Sequence, residues 1–168
     1  MERTFDIRKD PRLTEISQQD LEEQLDFLIQ IRDAFNEMNR ALQTIRSVRE
    51  QLGEITDRLD GEDVTTAAKK IGDMLTTIEN ELIQTKPGGW SQKPKIKSHL
   101  SWAASAASSQ RGEYTDARPT DQLQERFRDL RTDLDEELSR LQEVLDQDVA
   151  SFNGMLRDKQ APAIVVKP

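Results

Sequence analysis

The sequence predicts an all-α protein: an elongated antiparallel helical bundle of three long paths, the middle one broken into two helices. Three observations carry this prediction. Leu21, Leu25, Leu28, Ile31, Phe35, Met38, Leu42, Ile45, Val48, Leu52, Ile55 and Leu59 follow one another at steps of three or four, the period of a helix packed along a bundle seam. The chain is 35% hydrophobic, 33% charged and 5% aromatic, a balance that suits thin helices with wet outer faces. Seven glycines and six prolines are few for a strand-and-turn protein, and most of them fall between the stripes.

Residues 1–16 do not share the helical pattern. Thr4-Phe5-Asp6-Ile7-Arg8 alternates apolar and polar residues as a strand does, and Asp10-Pro11 ends it. No partner strand is evident, so 1–16 reads either as the remnant strand of a preceding β domain or as a disordered leader. The bundle occupies 17–158, and 159–168 forms an extended tail.

Helix one starts at Ser17. The Ser17 hydroxyl can accept from the Asp20 amide while Asp20 answers as a short capping box. Ile16 and Leu21 stand at staple positions, and Asp20, Glu22 and Glu23 suit the positive helix start. The helix is expected to end near Asp60-Gly61, with glycine taking a left-handed turn. At ~1.5 Å per residue it is roughly 60 Å long. It cannot bury so long a stripe alone.

Helix two is expected from Asp63 to Thr85, with Val64, Ala67, Ile71, Leu75, Ile78 and Leu82 inward. Lys86-Pro87-Gly88-Gly89-Trp90 breaks it. Ile96 to Ser109 forms a shorter helix three on Ile96, Leu100, Ala103 and Ala107. Arg111-Gly112 and Arg118-Pro119 bracket a further loop. Thr120 caps the last helix, whose stripe is Leu123, Phe127, Leu130, Leu134, Leu138, Leu141, Leu145, Phe152 and Met155, running to about Asp158. The three paths cover similar distances, so helix one runs up, the broken pair down and the last helix up. Aspartate at Leu28 or Leu134 is expected to unfold this bundle.

The formal net charge is −8, which argues against nucleic acid or an anionic membrane as the main partner. The charge is uneven, because Lys86, Lys93, Lys95 and Lys97 share a stretch without an acid. There is no cysteine, so disulfides and thiolate metal sites are excluded. No apolar run is long enough to span a bilayer, and the first residues lack the apolar core of a signal peptide.

Chemistry is sparse. The single histidine, His99, has no His or Cys partner with which to build a metal site or a nucleophile–base pair. None of the 32 acids is marked out as one of a pair across a cleft. Asp57, Asp60, Gly61, Glu62 and Asp63 lack calcium-loop spacing and read as a capped turn between helices. No catalytic, cofactor-binding or metal-binding residue is therefore assigned. Both tryptophans, Trp90 and Trp102, are expected to fold back and cap the bundle. The sharper alternative is a partner contact built from Trp90 with Lys93, Lys95 and Lys97.

Several stretches carry a resemblance: Phe5-Asp6-Ile7-Arg8-Lys9-Asp10-Pro11-Arg12, Gln24-Leu25-Asp26-Phe27-Leu28, Glu81-Leu82-Ile83-Gln84-Thr85-Lys86, Ala117-Arg118-Pro119-Thr120, and Asp148-Val149 with Phe152-Asn153. Through them the chain resembles the C-terminal helical region of large bacterial proteins labelled glycosyl hydrolases, which carry a sortilin-like or BNR-repeat β-propeller. These are packing and capping residues. The segment Pro87 to Lys97 departs from the family's loop and keeps little more than Pro94. The resemblance implies a propeller first, then a β-sandwich, then this bundle, with residues 3–12 as the last sandwich strand. It also implies an exported parent protein. No catalytic residue carries over.

The expected function is thus a non-catalytic helical accessory or interaction module. Its partner is expected to be the preceding β domains of the same protein, or another protein, and the chain itself a monomer or homodimer. A free-standing coiled-coil adaptor is the alternative, with helix one pairing across a two-fold axis. A further alternative is glycoside hydrolysis, with its activity in a propeller outside these residues.

Overall fold

A computed structural model describes residues 11, 12, 14–85, 92–108 and 117–166. It is an all-helical bundle. Helix α1 spans Gln18–Arg58, α2 Glu62–Leu82, α3 Ile96–Ala107, α4 Asp121–Glu143 and α5 Ala150–Asp158, with a π-helical segment at Val144–Val149 joining the last two. The strand expected over residues 4–8 lies outside the described residues.

Capping fixes where α1 begins. The Asp20 N–H donates to Ser17 Oγ at 3.0 Å, and the Ser17 N–H donates to Asp20 Oδ2 at 2.8 Å. Two of the amide donors at the helix start are satisfied in this way. Its other end corrects the expectation for Gly61. The helix stops at Arg58, and Leu59 is already extended. Gly61, at φ 168, is also extended and is the N-cap of α2. A Cβ there would come within 2.7 Å of Asp63 Oδ1. Glycine thus serves a tight reversal rather than a left-handed cap.

Contacts along the chain define three paths. α2 packs beside α1 and α3 packs beside α1 and α4, while α4 touches both α1 and α2. At one end, Gln24 Nε2 of α1 donates to the Ala107 carbonyl of α3 at 2.7 Å, and Arg118 pairs with Glu23 at 2.7 Å. Midway, Arg131 bridges to Glu37. At the far end, Lys70 meets Asp148 at 2.8 Å and Lys159 meets Asp63 at 2.9 Å. α1 therefore runs up, α2 and α3 run down in succession, and α4 to α5 run up. The Lys159 hydrogen bond, followed by that of the Val64 N–H, holds the Asp63 carboxyl below its usual range.

The core is one continuous seam. Ile31, Ala34, Met38, Ile45 and Val48 of α1 meet Val64, Ile71, Leu75 and Leu82 of α2, Leu100 of α3, and Leu134, Phe152 and Leu156 of the last path. Phe27 and Phe127 pack edge to face, with centroids 5.2 Å apart, the arrangement that suits the ring quadrupoles. Ala68 rather than Ala67 is fully buried on α2. Leu134 is wholly buried, whereas Leu28 is only half-buried against the core.

The last path departs from a plain helix. Its buried positions run Leu123, Phe127, Leu130, Leu134, Glu137, Leu141, Val144, Val149, Phe152 and Leu156. Val144 and Val149 are five apart, a gap that an α-helix cannot keep on one face. The wider π turn absorbs the extra residue and returns Phe152 and Leu156 to the seam. The expected inward residues Leu138, Leu145 and Met155 are accordingly only partly buried.

Candidate functional site

Among the described residues, a concavity lies where α1 begins, α3 ends and α4 begins. Its buried apolar lining residues are Ala107 and Leu123. One wall is α3, with Trp102 and Ala106. The opposite wall is Ala117 to Thr120 and the first turn of α4, with Gln122 and Arg126. The cavity measures about 560 Å³, the size of a site for several side chains or a small molecule.

Local chemistry builds each wall. Thr120 caps α4, its Oγ1 accepting from the Leu123 N–H at 3.3 Å. Gln124 Nε2 donates to the Pro119 carbonyl at 3.0 Å, which keeps the connection pressed on the helix. Arg118 joins Glu23 of α1 and Asp121 of α4. The Gln24 amide satisfies the carbonyl of Ala107, one of the orphan acceptors at a helix end.

Trp102 stands on the rim and is 56% exposed. It does not fold back to cap the bundle as expected. The reason is its position on α3. Leu100, Ala103 and Ala107 take the inward face, and residue 102 falls well off that face at 100° per residue. Arg126, on the facing wall, is exposed and has no ion-pair partner among the described residues. The cleft is therefore lined by an exposed indole on one wall and, on the other, by a guanidinium with no ion pair among the described residues. Such a surface can bury an apolar side chain and meet a carboxylate.

The residues expected to contact a partner lie elsewhere, at the junction of α2 and α3. Lys95 Nζ binds both Glu81 carboxylate oxygens at 3.1 Å, so it ties α3 to α2. Lys93 and Lys97 are exposed, with no ion pair among the described residues. Trp90 lies outside the described residues. Lys95 is thereby drawn away from any outward basic patch.

Two buried acids were not legible in the sequence. Glu79 of α2 is 8% exposed, and its carboxylate takes Arg49 at 2.8 Å and Arg46 at 3.6 Å. Arg49 Nη2 also donates to Thr76 Oγ1 at 3.3 Å. Glu137 of α4 is 7% exposed. Its Oε1 accepts from Arg140 at 2.8 Å, but its Oε2 has no partner. Burial raises its pKa above the usual range. Arg140 opposes that shift, and Glu81, Glu136 and Asp133 add to it. The ion-pair partner of Glu137 among the described residues is Arg140. Among the described residues, no group of three or more His, Asp or Glu is placed to hold a metal ion. No described helix is long and apolar enough to cross a membrane.

No protein-family model, curated protein or solved structure matches the chain.

Proposed function

We propose that this chain is a non-catalytic helical accessory module that docks by the Trp102 end of the bundle onto a β domain joined ahead of it. The observation that carries this reading is a coincidence of place. The chain enters α1 through Thr14 to Ser17, and that same end holds the open apolar cleft with its exposed tryptophan. A domain joined ahead of α1 would meet the bundle at that end, where an exposed aromatic gains most from being covered. The sequence resemblance to the closing region of sortilin-like propeller proteins supplies a β domain of the right kind and position.

The rest of the bundle supports a binding role over a coiled-coil adaptor. The α1 stripe is largely spent on α2, α3 and α4, so little of it remains for pairing with a second α1. The seam is filled by side chains, and each buried acid has an arginine partner.

Fluorescence tests this reading. In a Trp90→Phe background, Trp102 is the sole tryptophan. Its emission is expected at an exposed wavelength in this chain. When the coding sequence upstream is expressed with it, the Trp102 emission, taken as the difference between that longer protein and its Trp102→Phe variant, should shift to the blue and resist quenching by iodide. Unchanged emission in that longer protein would overturn the docking. So would hydrolysis of a polysaccharide by this bundle alone, lost on changing one carboxylate.

A further inference from the structure

At the opposite end of the molecule a segment of the chain itself is held by side chains of α1 and α5. Gln51 lies 27 residues beyond Gln24 on α1, about 40 Å away at the helical rise. There α5 packs on α2 but makes no close approach to α1, and segment 161–166 passes between them. Its main chain is gripped twice. Asn153 Oδ1 accepts from the Ile164 N–H at 2.7 Å, and Asn153 Nδ2 donates to the Ile164 carbonyl at 3.0 Å. Gln51 Oε1 accepts from the Val165 N–H at 2.8 Å, and Gln51 Nε2 donates to the Val165 carbonyl at 3.0 Å. Ile164 is buried at 4% exposure, while Val165 is 60% exposed.

Two side-chain amides thus read four main-chain groups of consecutive residues, and one pocket takes an aliphatic side chain. This is how a groove recognises an extended peptide: main-chain bonds hold it and alternate side chains select it. We propose that the groove is an exchangeable peptide site, which takes the 161–166 segment of a second copy in place of its own and so joins two chains.

Three features favour this occupant. A second copy supplies an identical segment, so exchange keeps every bond of the clamp. The segment hangs on one turn, Lys159 to Ala161, which serves as a hinge. In that turn Gln160 is left-handed at φ 56, a conformation that costs a non-glycine residue free energy. The walls of the groove do not depend on the segment, because α1 and α5 are each fixed against α2. The net charge of −8 opposes close approach of two copies, so the intramolecular arrangement dominates at low concentration.

A complementation experiment with full chains tests the site. Ile164→Asp leaves the groove intact but gives a segment that cannot seat. Asn153→Ala with Gln51→Ala leaves the segment intact but removes the clamp. Circular dichroism establishes that each is helical, and Ile164→Ser replaces Ile164→Asp if the latter is not. Each is expected to be monomeric alone by light scattering. Mixed at high concentration they should form a 1:1 complex of doubled mass, weakened at least tenfold when both partners carry Ile164→Asp. A mixture that stays monomeric, or a complex indifferent to Ile164, would overturn the proposal.

Discussion

Arg49 reaches from α1 across to Glu79 of α2, Nη1 to Oε2 at 2.8 Å, and closes a charge pair over a nearly buried carboxylate. Arg46, at 3.6 Å, is the weaker second partner. Arg49 Nε is itself buried with no acceptor, so the site is held by one good bond on each side. Removing Arg49 leaves Glu79 with a distant counter-charge. Arg49→Met is expected to lower stability by about 1–2 kcal/mol, less than for a fully buried pair because Arg49 is partly exposed. Arg49→Met combined with Glu79→Leu should recover most of that loss. Urea denaturation of the single and double variants measures both.

Glu137 sets a pH dependence of the opposite sign to that of a paired surface acid. Burial raises its carboxyl pKa in the folded chain above the ordinary 4.5, so between 4.5 and the raised value the native state binds the proton more tightly than the unfolded state does. Its contribution is full below 4.5 and is lost as the pH rises through the raised value. Glu137→Gln should therefore be more stable than the parent at pH 7, and the difference should shrink toward pH 4. Paired urea titrations across that range isolate the group from the other acids. A gap that widens on acidification would contradict the assignment.

Gln160 occupies the left-handed position that ends α5. Its N–H donates to the Arg157 carbonyl at 3.0 Å, and the Ala161 N–H donates to the Leu156 carbonyl at 2.9 Å, the bond pair of a Schellman turn. Glycine adopts this φ without steric cost. Gln160→Gly is expected to raise stability by about 0.5–1 kcal/mol, read as a higher denaturation midpoint with an unchanged slope.

Much of the fold was legible because helix stripes are local. The spacing from Leu21 to Leu59 locates α1, Ser17 with Asp20 locates its start, and Thr120 locates that of α4. Features that depend on neighbours in space were not legible. Glycine at a helix end commonly takes a left-handed cap, but Gly61 is extended and starts α2, which depends on how the two helices meet in space. The π segment follows from the five-residue gap between Val144 and Val149, a signal present in the sequence but hidden by the competing spacing of Leu138 and Leu145. Glu79 and Glu137 interrupt apolar faces, and only the packed arrangement shows which arginine answers each. The cleft at Trp102 combines three elements, and the clamp joins Gln51 to a residue 114 positions away. Neither has a local pattern.

The up, down, up order of the paths is the claim on which the docking end and the clamp both rest. It is tested most directly by cross-linking, which the absence of cysteine makes unambiguous. Cysteine pairs at Glu37 with Arg131 and at Asp63 with Lys159, treated with a short bis-maleimide, should each give an intramolecular cross-link, because both pairs are ion-paired in the fold. The mismatched pair Glu37 with Lys159 should give none. A cross-link in the mismatched pair, with none in the two matched pairs, would contradict this arrangement of the helices.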